Sequence, residues 1–486
     1  MNWRALAKLL GLFSCIIGFL IGISAGISFF YQEKEALWLV AAAIVPLVGG
    51  LGLMQISWEL DVENVSHREA TLLIVLSWIV AIFWGAFPYY LTKSFGSYSG
   101  EAFINSLFEA TSGFTATAAS VLMPASSSET LSHGLIFWRS LSQWLGGLGI
   151  ILIALIFLPF IRSGGMELFQ TSSIVRERLR TKVGEAARTI LIIYLSLTLV
   201  EVIALKLGGV NLFDAFALSF STISSGGFAP TSQNIVAYNS FYIEVVLMVF
   251  MVLGTTNFAL HYSFIQKDWG AYWKSSEIRL YMAVLLIAAL LIGWNLKSSG
   301  MQGNSWREAV FNTVSIGSTT GFWNTNVSLW PSFSKSVLLL LMFIGGTVGS
   351  ASGAIKCFRI SLLTKYAYRE ISRVIHPAGF IPVKFEGKVV EREVLEGVTA
   401  FFFLYILIFA VGSLIMQALG YDMMVAASGV AATLGGVGPG FNELGGTGGY
   451  FAVPILGKVT LMFCMLLGRV EIFPIMIVLS REFWRK

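Results

Sequence analysis

Apolar runs of about twenty residues recur from one end of the chain to the other, and they constrain the fold more than any other feature. A run of that length spans the ~30 Å hydrocarbon core of a bilayer as a helix. Of the 486 residues, 56% are hydrophobic and 12% charged, against roughly 25% charged in an average soluble domain. The reading is an all-α polytopic membrane protein whose apolar surface faces lipid. The net charge of +5 is no nucleic-acid signal, because the basic residues lie between apolar runs, where the positive-inside rule puts them. Cys15, Cys357 and Cys464 are far apart, each in or beside an apolar run, so no disulfide and no metal site is expected. With four histidines and no zinc-like spacing, no cofactor is expected in this chain.

The apolar stretch at about 9–30 is too long for the ~7–15-residue core of a signal peptide and reads as a retained first span. A second follows at about 36–57. Beyond them one pattern repeats: an apolar span, a short semi-polar segment rich in Gly and Ser/Thr, and another apolar span. The units run about 70–160, 187–266, 277–358 and 394–480. The expected division is 1–60 for the N-terminal pair, then 61–165, 166–270, 271–375 and 376–486 for the four repeats.

The middle segments align. GEAFINSLFEATSGFT, FDAFALSFSTISSGGF and REAVFNTVSIGSTTGF each open on an acid and Ala and close on Gly-Phe, with the acid and glycine 12, 13 and 13 residues apart. The fourth, YDMMVAASGVAATLGGVGPG, is looser, with Asp422 and Gly438 separated by 16. Glycines 113, 227, 321 and 438 follow one another at 114, 94 and 117 residues. An internal repeat of this regularity organises the chain. Each middle segment holds only ~10–13 helical residues, too few to cross. A short helix that enters and returns fits, and irregular backbone at that depth survives only inside protein or beside water. Four such segments point to one shared, water-filled axis.

Charge sets the expected orientation. With both termini cytoplasmic and ten crossings, 23 of the 32 Lys/Arg fall on the cytoplasmic side, among them Arg176, Arg178, Arg180, Lys365, Arg369 and Arg373. All four glycine loops then face outward. A bare cation crosses only where something replaces its water, and rings of backbone carbonyls do so in potassium filters. Candidate filter residues are Thr111, Ser112 and Gly113; Ser225, Gly226 and Gly227; Thr319, Thr320 and Gly321; and Gly436, Val437 and Gly438. The short helices before them would aim their negative dipole ends at a cation.

Together with WRSLSQWLGGLGI (138–150), the loops ATSGFT (110–115) and STTGF (318–322) resemble the Trk/Ktr/HKT potassium transporter superfamily. The two extra N-terminal spans make the bacterial TrkH type the best match. The resemblance implies a fourfold pseudosymmetric pore for K+, a homodimer in the bacterial inner membrane, and TrkA-like cytosolic NAD/ATP-binding regulatory subunits. It implies a filter glycine in each loop, here Gly113, Gly227, Gly321 and Gly438; plant relatives that prefer sodium carry Ser at the first, so Gly113 would favour potassium. It also implies an intramembrane gate loop under the filter.

GGTVGSASGAIK (345–356) fits that loop, with Gly345, Gly346, Gly349 and Gly353 weakening the helix and Lys356 closing the stretch. A tightly packed helix is the other reading of the same residues. Arg469 lies inside the last apolar run. There a charge costs several kcal/mol unless paired or hydrated. The family reading puts it in the pore near the gate; an ion pair with a neighbour such as Glu471 is the alternative. The basic segments 162–188 and 357–393 are ordinary cytoplasmic loops or a docking surface. An ion-coupled secondary transporter is the alternative function. No catalytic constellation or P-loop is present, so an enzyme is not expected.

Overall fold

The computed structural model describes residues 1–55, 66–122, 131–157, 183–301, 303–377, 379, 381–445 and 448–485. The basic cluster of Arg176, Arg178 and Arg180 therefore lies outside the described residues, as does most of 162–188.

Two helices come first, α1 (Trp3–Phe30) and α2 (Ala36–Gln55). They cross at glycine: a Cβ on Gly11 would stand 2.6 Å from the Gly50 carbonyl oxygen, and one on Gly50 2.5 Å from that of Gly11. Small residues let backbones touch where the hydrophobic effect between helices is absent. The pair leans on the first repeat. Trp84 Nε1 donates to Ser14 Oγ at 3.0 Å, and the Tyr31 ring stacks on His133 at 3.9 Å.

Four groups of helices follow. Each opens on a long helix: α3 (His67–Leu91), then α6 (Val183–Leu207), α10 (Ser276–Ser298) and α14 (Arg392–Ala418). Each continues with a short helix, the expected pore helix: α4 (Gly100–Phe114), α7 (Leu212–Ile223), α11 (Ser305–Gly317) and α15 (Met423–Gly435). Their starts are written in the sequence. Ser99, Asn211 and Asn304 accept from the first-turn amides of Ala102, Asp214 and Arg307, and Glu101, Asp214 and Glu308 follow where the dipole favours an acid. Asp422 holds the N-cap position of α15 without a side-chain bond.

The third helix of each unit is where the structure departs from the expected continuous span. In unit one, α5 (His133–Phe157) is unbroken. In unit two, α8 (Phe241–Gly254) turns by 99° into α9 (Phe258–Ile265). In unit three, α12 (Ser332–Ile344) and α13 (Cys357–Ile375) flank the irregular segment 345–356. In unit four, α16 (Ile455–Arg469) turns by 115° into α17 (Phe473–Leu479). Against the ten crossings expected, six helices among the described residues are long and apolar enough to cross a membrane, or up to eight if each bent pair is one span.

The burial pattern is that of a protein solvated by lipid. Large apolar side chains such as Phe19, Ile203, Leu286 and Phe403 are exposed, whereas Ser112, Thr222, Ser315 and Thr433 on the pore helices are buried. Polar atoms are gathered at the centre, where the four short helices end.

Candidate cation filter and gate

The loops after the pore helices share one backbone course. In each, two amides reach back into the helix end. Ala116 N donates to Gly113 O and Thr117 N to Ser112 O; Ser225 N to Thr222 O and Gly226 N to Ser221 O; Thr319 N to Ile316 O and Thr320 N to Ser315 O; Gly436 N to Thr433 O and Val437 N to Ala432 O. Positive φ alternates in register: Ala116 and Ala118 (50°, 62°), Ser225 and Gly227 (57°, 77°), Thr319 and Gly321 (58°, 84°), Gly436 and Gly438 (66°, 102°). Three of the four expected filter trios, those ending at Gly227, Gly321 and Gly438, therefore occupy equivalent positions.

The first trio does not. Thr111, Ser112 and Gly113 lie in the last turn of α4, and Gly113 is equivalent to Thr222, Ile316 and Thr433. The loop of the first repeat is Ala116–Thr117–Ala118. The cause is a longer helix: α4 has 15 residues, the other pore helices 12 or 13, so it runs on for most of a ~3.6-residue turn. The Gly113-Phe114 match with the other Gly-Phe pairs is a coincidence of composition. The corner of the first loop is Ala118, not a glycine, so Gly113 lends no support to a preference for potassium.

The loops meet in a ring. A Cβ on Gly227 would collide with the Thr320 carbonyl oxygen, one on Gly321 with that of Val437, and one on Gly438 with that of Thr117. The Ala118 methyl closes the circle, 3.1 Å from a Cβ built on Gly227 and 2.7 Å from one built on Gly438. Glycine is required at three corners by both φ and space. Ala118 holds its left-handed conformation at a cost of roughly 1–2 kcal/mol.

Side chains behind the loops hold them. Gln143 Nε2 donates to Gly226 O at 2.7 Å, and Phe228 N donates to Gln143 Oε1 at 3.0 Å. Tyr450 OH donates to Gly438 O at 2.8 Å, and Ser315 Oγ to Phe322 O at 2.6 Å. The fully buried Glu109 accepts from Arg139 Nε at 2.9 Å and from Val121 N at 3.0 Å. The Arg139 guanidinium lies 3.9 Å from the Phe228 ring centroid, joining the first two repeats. Buried Lys458 donates to Asn105 Oδ1 at 2.8 Å. Sequence reasoning missed Glu109, Arg139, Gln143 and Lys458; polar residues inside otherwise apolar stretches were the available signal. Glycines bring the pore helices against their inner helices, since a Cβ on Gly146, Gly254 or Gly468 would strike the carbonyl oxygen of Phe114, Ile223 or Leu434.

The segment 345–356 is a loop, and it joins all four repeats. Gly345, Gly346, Gly349 and Gly353 all lie on it. Thr347 N and Ala351 N donate to Thr255 O and Gly254 O of the second repeat, at 3.0 and 3.2 Å. Gly353 N donates to Thr319 Oγ1 of the third-repeat loop at 3.0 Å, and a Cβ there would collide with Gly435 O of the fourth. Arg469 supplies the rest. Its two terminal nitrogens donate to Ala351 O at 2.7 Å and to Gly146 O of the first repeat at 2.9 Å. Arg469 therefore does not pair with Glu471. Glu471 binds Lys356 Nζ at 3.0 Å and Arg359 at 2.6 Å instead. Lys356 thus anchors the end of the loop.

Fold and site together define a polytopic membrane protein in which the loops after four short helices close into one ring against the 345–356 loop. The family profile described as "TrkH: Cation transport protein" matches residues 53–294 and 281–486, and the chain belongs to this family of transporters, which are not enzymes. "Trk system potassium uptake protein TrkH" of Escherichia coli (strain K12) is 31% identical over 100% of both chains. The protein of the same name from Vibrio parahaemolyticus serotype O3:K6 is 32% identical, again over 100% of both. The "Crystal Structure of the Potassium Transporter TrkH from Vibrio parahaemolyticus" superposes with a TM-score of 0.90, at 31% identity and full coverage of both chains.

Proposed function

We propose that the chain takes up potassium through the ring of its four loops, gated by the 345–356 loop beneath. The observation that carries this reading is the ring itself: four short helices end at one place, and their loops abut corner to carbonyl. Such a ring supplies main-chain oxygens to an ion that has shed its water. The names of relatives similar along their whole length support potassium as the ion. The gate assignment rests on the loop's bonds to Thr319 and Arg469. The protein is a multi-pass protein of the bacterial inner membrane with both termini cytoplasmic, an orientation supported by the excess of Lys/Arg on that side.

A homodimer with TrkA-like nucleotide-binding subunits docked from the cytosol completes the reading. In its favour, α13 carries exposed Tyr368, Ile371 and Val374 beside Arg369 and Arg373. The test is rubidium flux into proteoliposomes with potassium and sodium as competitors. Potassium competes well and sodium weakly, and deletion within Gly345–Gly353 raises basal flux. Flux strictly coupled to protons or sodium, or no rubidium flux in the parent and in the deletion variant, overturns the proposal.

A further inference from the structure

Two amides of the gate region share one acceptor. Val348 N, inside the 345–356 loop, donates to Glu277 Oε1 at 2.8 Å, and Phe358 N, in the first turn of α13, donates to the same oxygen at 3.1 Å. Glu277 stands in the first turn of α10 and is buried. A buried N–H needs an acceptor. A carboxylate supplies a charge-assisted one that also suits the positive end of α13. One oxygen thus clasps the stretch between Val348 and Phe358.

The two residues that donate these amides share side-chain neighbours in one outlying piece of the fold. Between α13 and α14 the chain forms a hairpin, β1 (Lys384–Phe385) paired antiparallel with β2 (Lys388–Val389). The Phe358 ring meets the Phe385 ring edge to face, with centroids 4.9 Å apart. Val348 joins Phe358, Val383, Phe385 and Val390 in one buried apolar cluster. The turn of the hairpin reaches α10 as well: Ser276 N, next to Glu277 in the chain, donates to Glu386 Oε1 at 3.1 Å.

We propose that Glu277 is a positioning residue for conduction: one carboxylate oxygen holds the 345–356 loop closed and joins it to the hairpin between α13 and α14, so that moving the hairpin loosens the loop. The inference rests on the gate reading above. Arg469 ties the loop to α5. Glu277 ties it to α10 and, through Ser276 and the two aromatic rings, to β1 and β2. Parting a buried N–H from its acceptor costs more than the bond's net contribution, so the loop stays in place while both amides remain on Glu277. The hairpin turn at Glu386 is exposed, and a displacement there has a short path to the loop.

Basal rubidium flux in proteoliposomes tests this, measured for the parent, Glu277→Met, Glu277→Gln, Glu386→Ala and a deletion within Gly345–Gly353. Methionine fills the space without an acceptor, whereas glutamine keeps an oxygen that can take both amides and loses only the charge. The expected result is a severalfold rise in flux for Glu277→Met, a level near the parent's for Glu277→Gln and a smaller rise for Glu386→Ala. Parent-level flux in Glu277→Met, with flux still raised by the deletion, overturns this inference and leaves the gate standing. An equal rise in Glu277→Met and Glu277→Gln also overturns it, since the charge and not the placed oxygen is then at work. Parent-level flux in both the deletion and Glu277→Met overturns the gate reading itself. Where Glu277→Met fails to assemble, the exposed Glu386→Ala decides: raised flux supports the link to the hairpin, and parent-level flux overturns it.

Discussion

Arg469 carries a charge at a depth where an unpaired cation costs several kcal/mol, and its compensation comes from two carbonyls rather than an acid. Each charge-assisted bond contributes about 1.5–3 kcal/mol, and the two carbonyls belong to the 345–356 loop and to α5. Arg469→Ala frees the loop from that helix, so basal rubidium flux should rise severalfold; Arg469→Lys, with one point donor in place of a planar fork, should recover part of the closure. A flux equal to the parent's in both variants would leave Arg469 a packing residue. Gly321 fails differently. It adopts φ 84° and faces the Val437 carbonyl, so Gly321→Ala should abolish flux in protein that still reaches the membrane, as quantified by immunoblot alongside transport. Glu471 holds two cations, and Lys356 is only 5% exposed. Glu471→Gln leaves them without a counter-charge, a loss of roughly 1–3 kcal/mol because Glu471 is partly exposed, which should appear as a lower melting temperature in detergent. At this scale the sequence was legible where a residue stands out from its surroundings. Arg469 and the corner glycines of repeats two to four did so. Gln143 and Glu109 did not, because a polar residue in an apolar stretch announces burial without naming its partner.

The elements were read well where they begin and badly where they break. Pore helices opened at Ser99, Asn211 and Asn304 because a side-chain acceptor before an acidic first turn is a local signal. The extra length of α4 was invisible, since nothing in GEAFINSLFEATSGFT marks its end at Phe114 rather than two or three residues earlier. The break before α13 was legible through its glycines. The kink after α16 was not: Glu471 and Ile472 adopt positive φ (63° and 53°), a conformation imposed by tertiary contacts and disfavoured by both side chains. At the α8–α9 bend, Asn257 caps α9 by accepting from Ala259 N, a signal present in Thr-Thr-Asn but outweighed by the apolar run around it. The inner-helix glycines make an element-scale prediction. Gly146→Val drives a side chain into the Phe114 carbonyl, so the first loop should be displaced and selectivity lost, measured as a sodium-to-rubidium flux ratio approaching one.

Across the whole molecule the four short segments were legible because each sets Gly and Ser/Thr between apolar runs, although Gly113, used to space the first, lies in a helix and is not the counterpart of the other three glycines. The N-terminal pair stands outside the ring. At its crossing the atoms nearest Gly11 and Gly50 belong to α1 and α2, so Gly11→Leu should wedge α1 from α2 and lower the melting temperature while the potassium-to-sodium flux ratio stays that of the parent. The ring itself is written in a single polypeptide, and this has a genetic consequence. In an assembly of identical subunits one codon alters every quadrant together, and most such changes are lethal to conduction. Here each quadrant has its own codon. A lineage can therefore trial one altered position at a time, retuning which salts the cell admits in small steps instead of all at once.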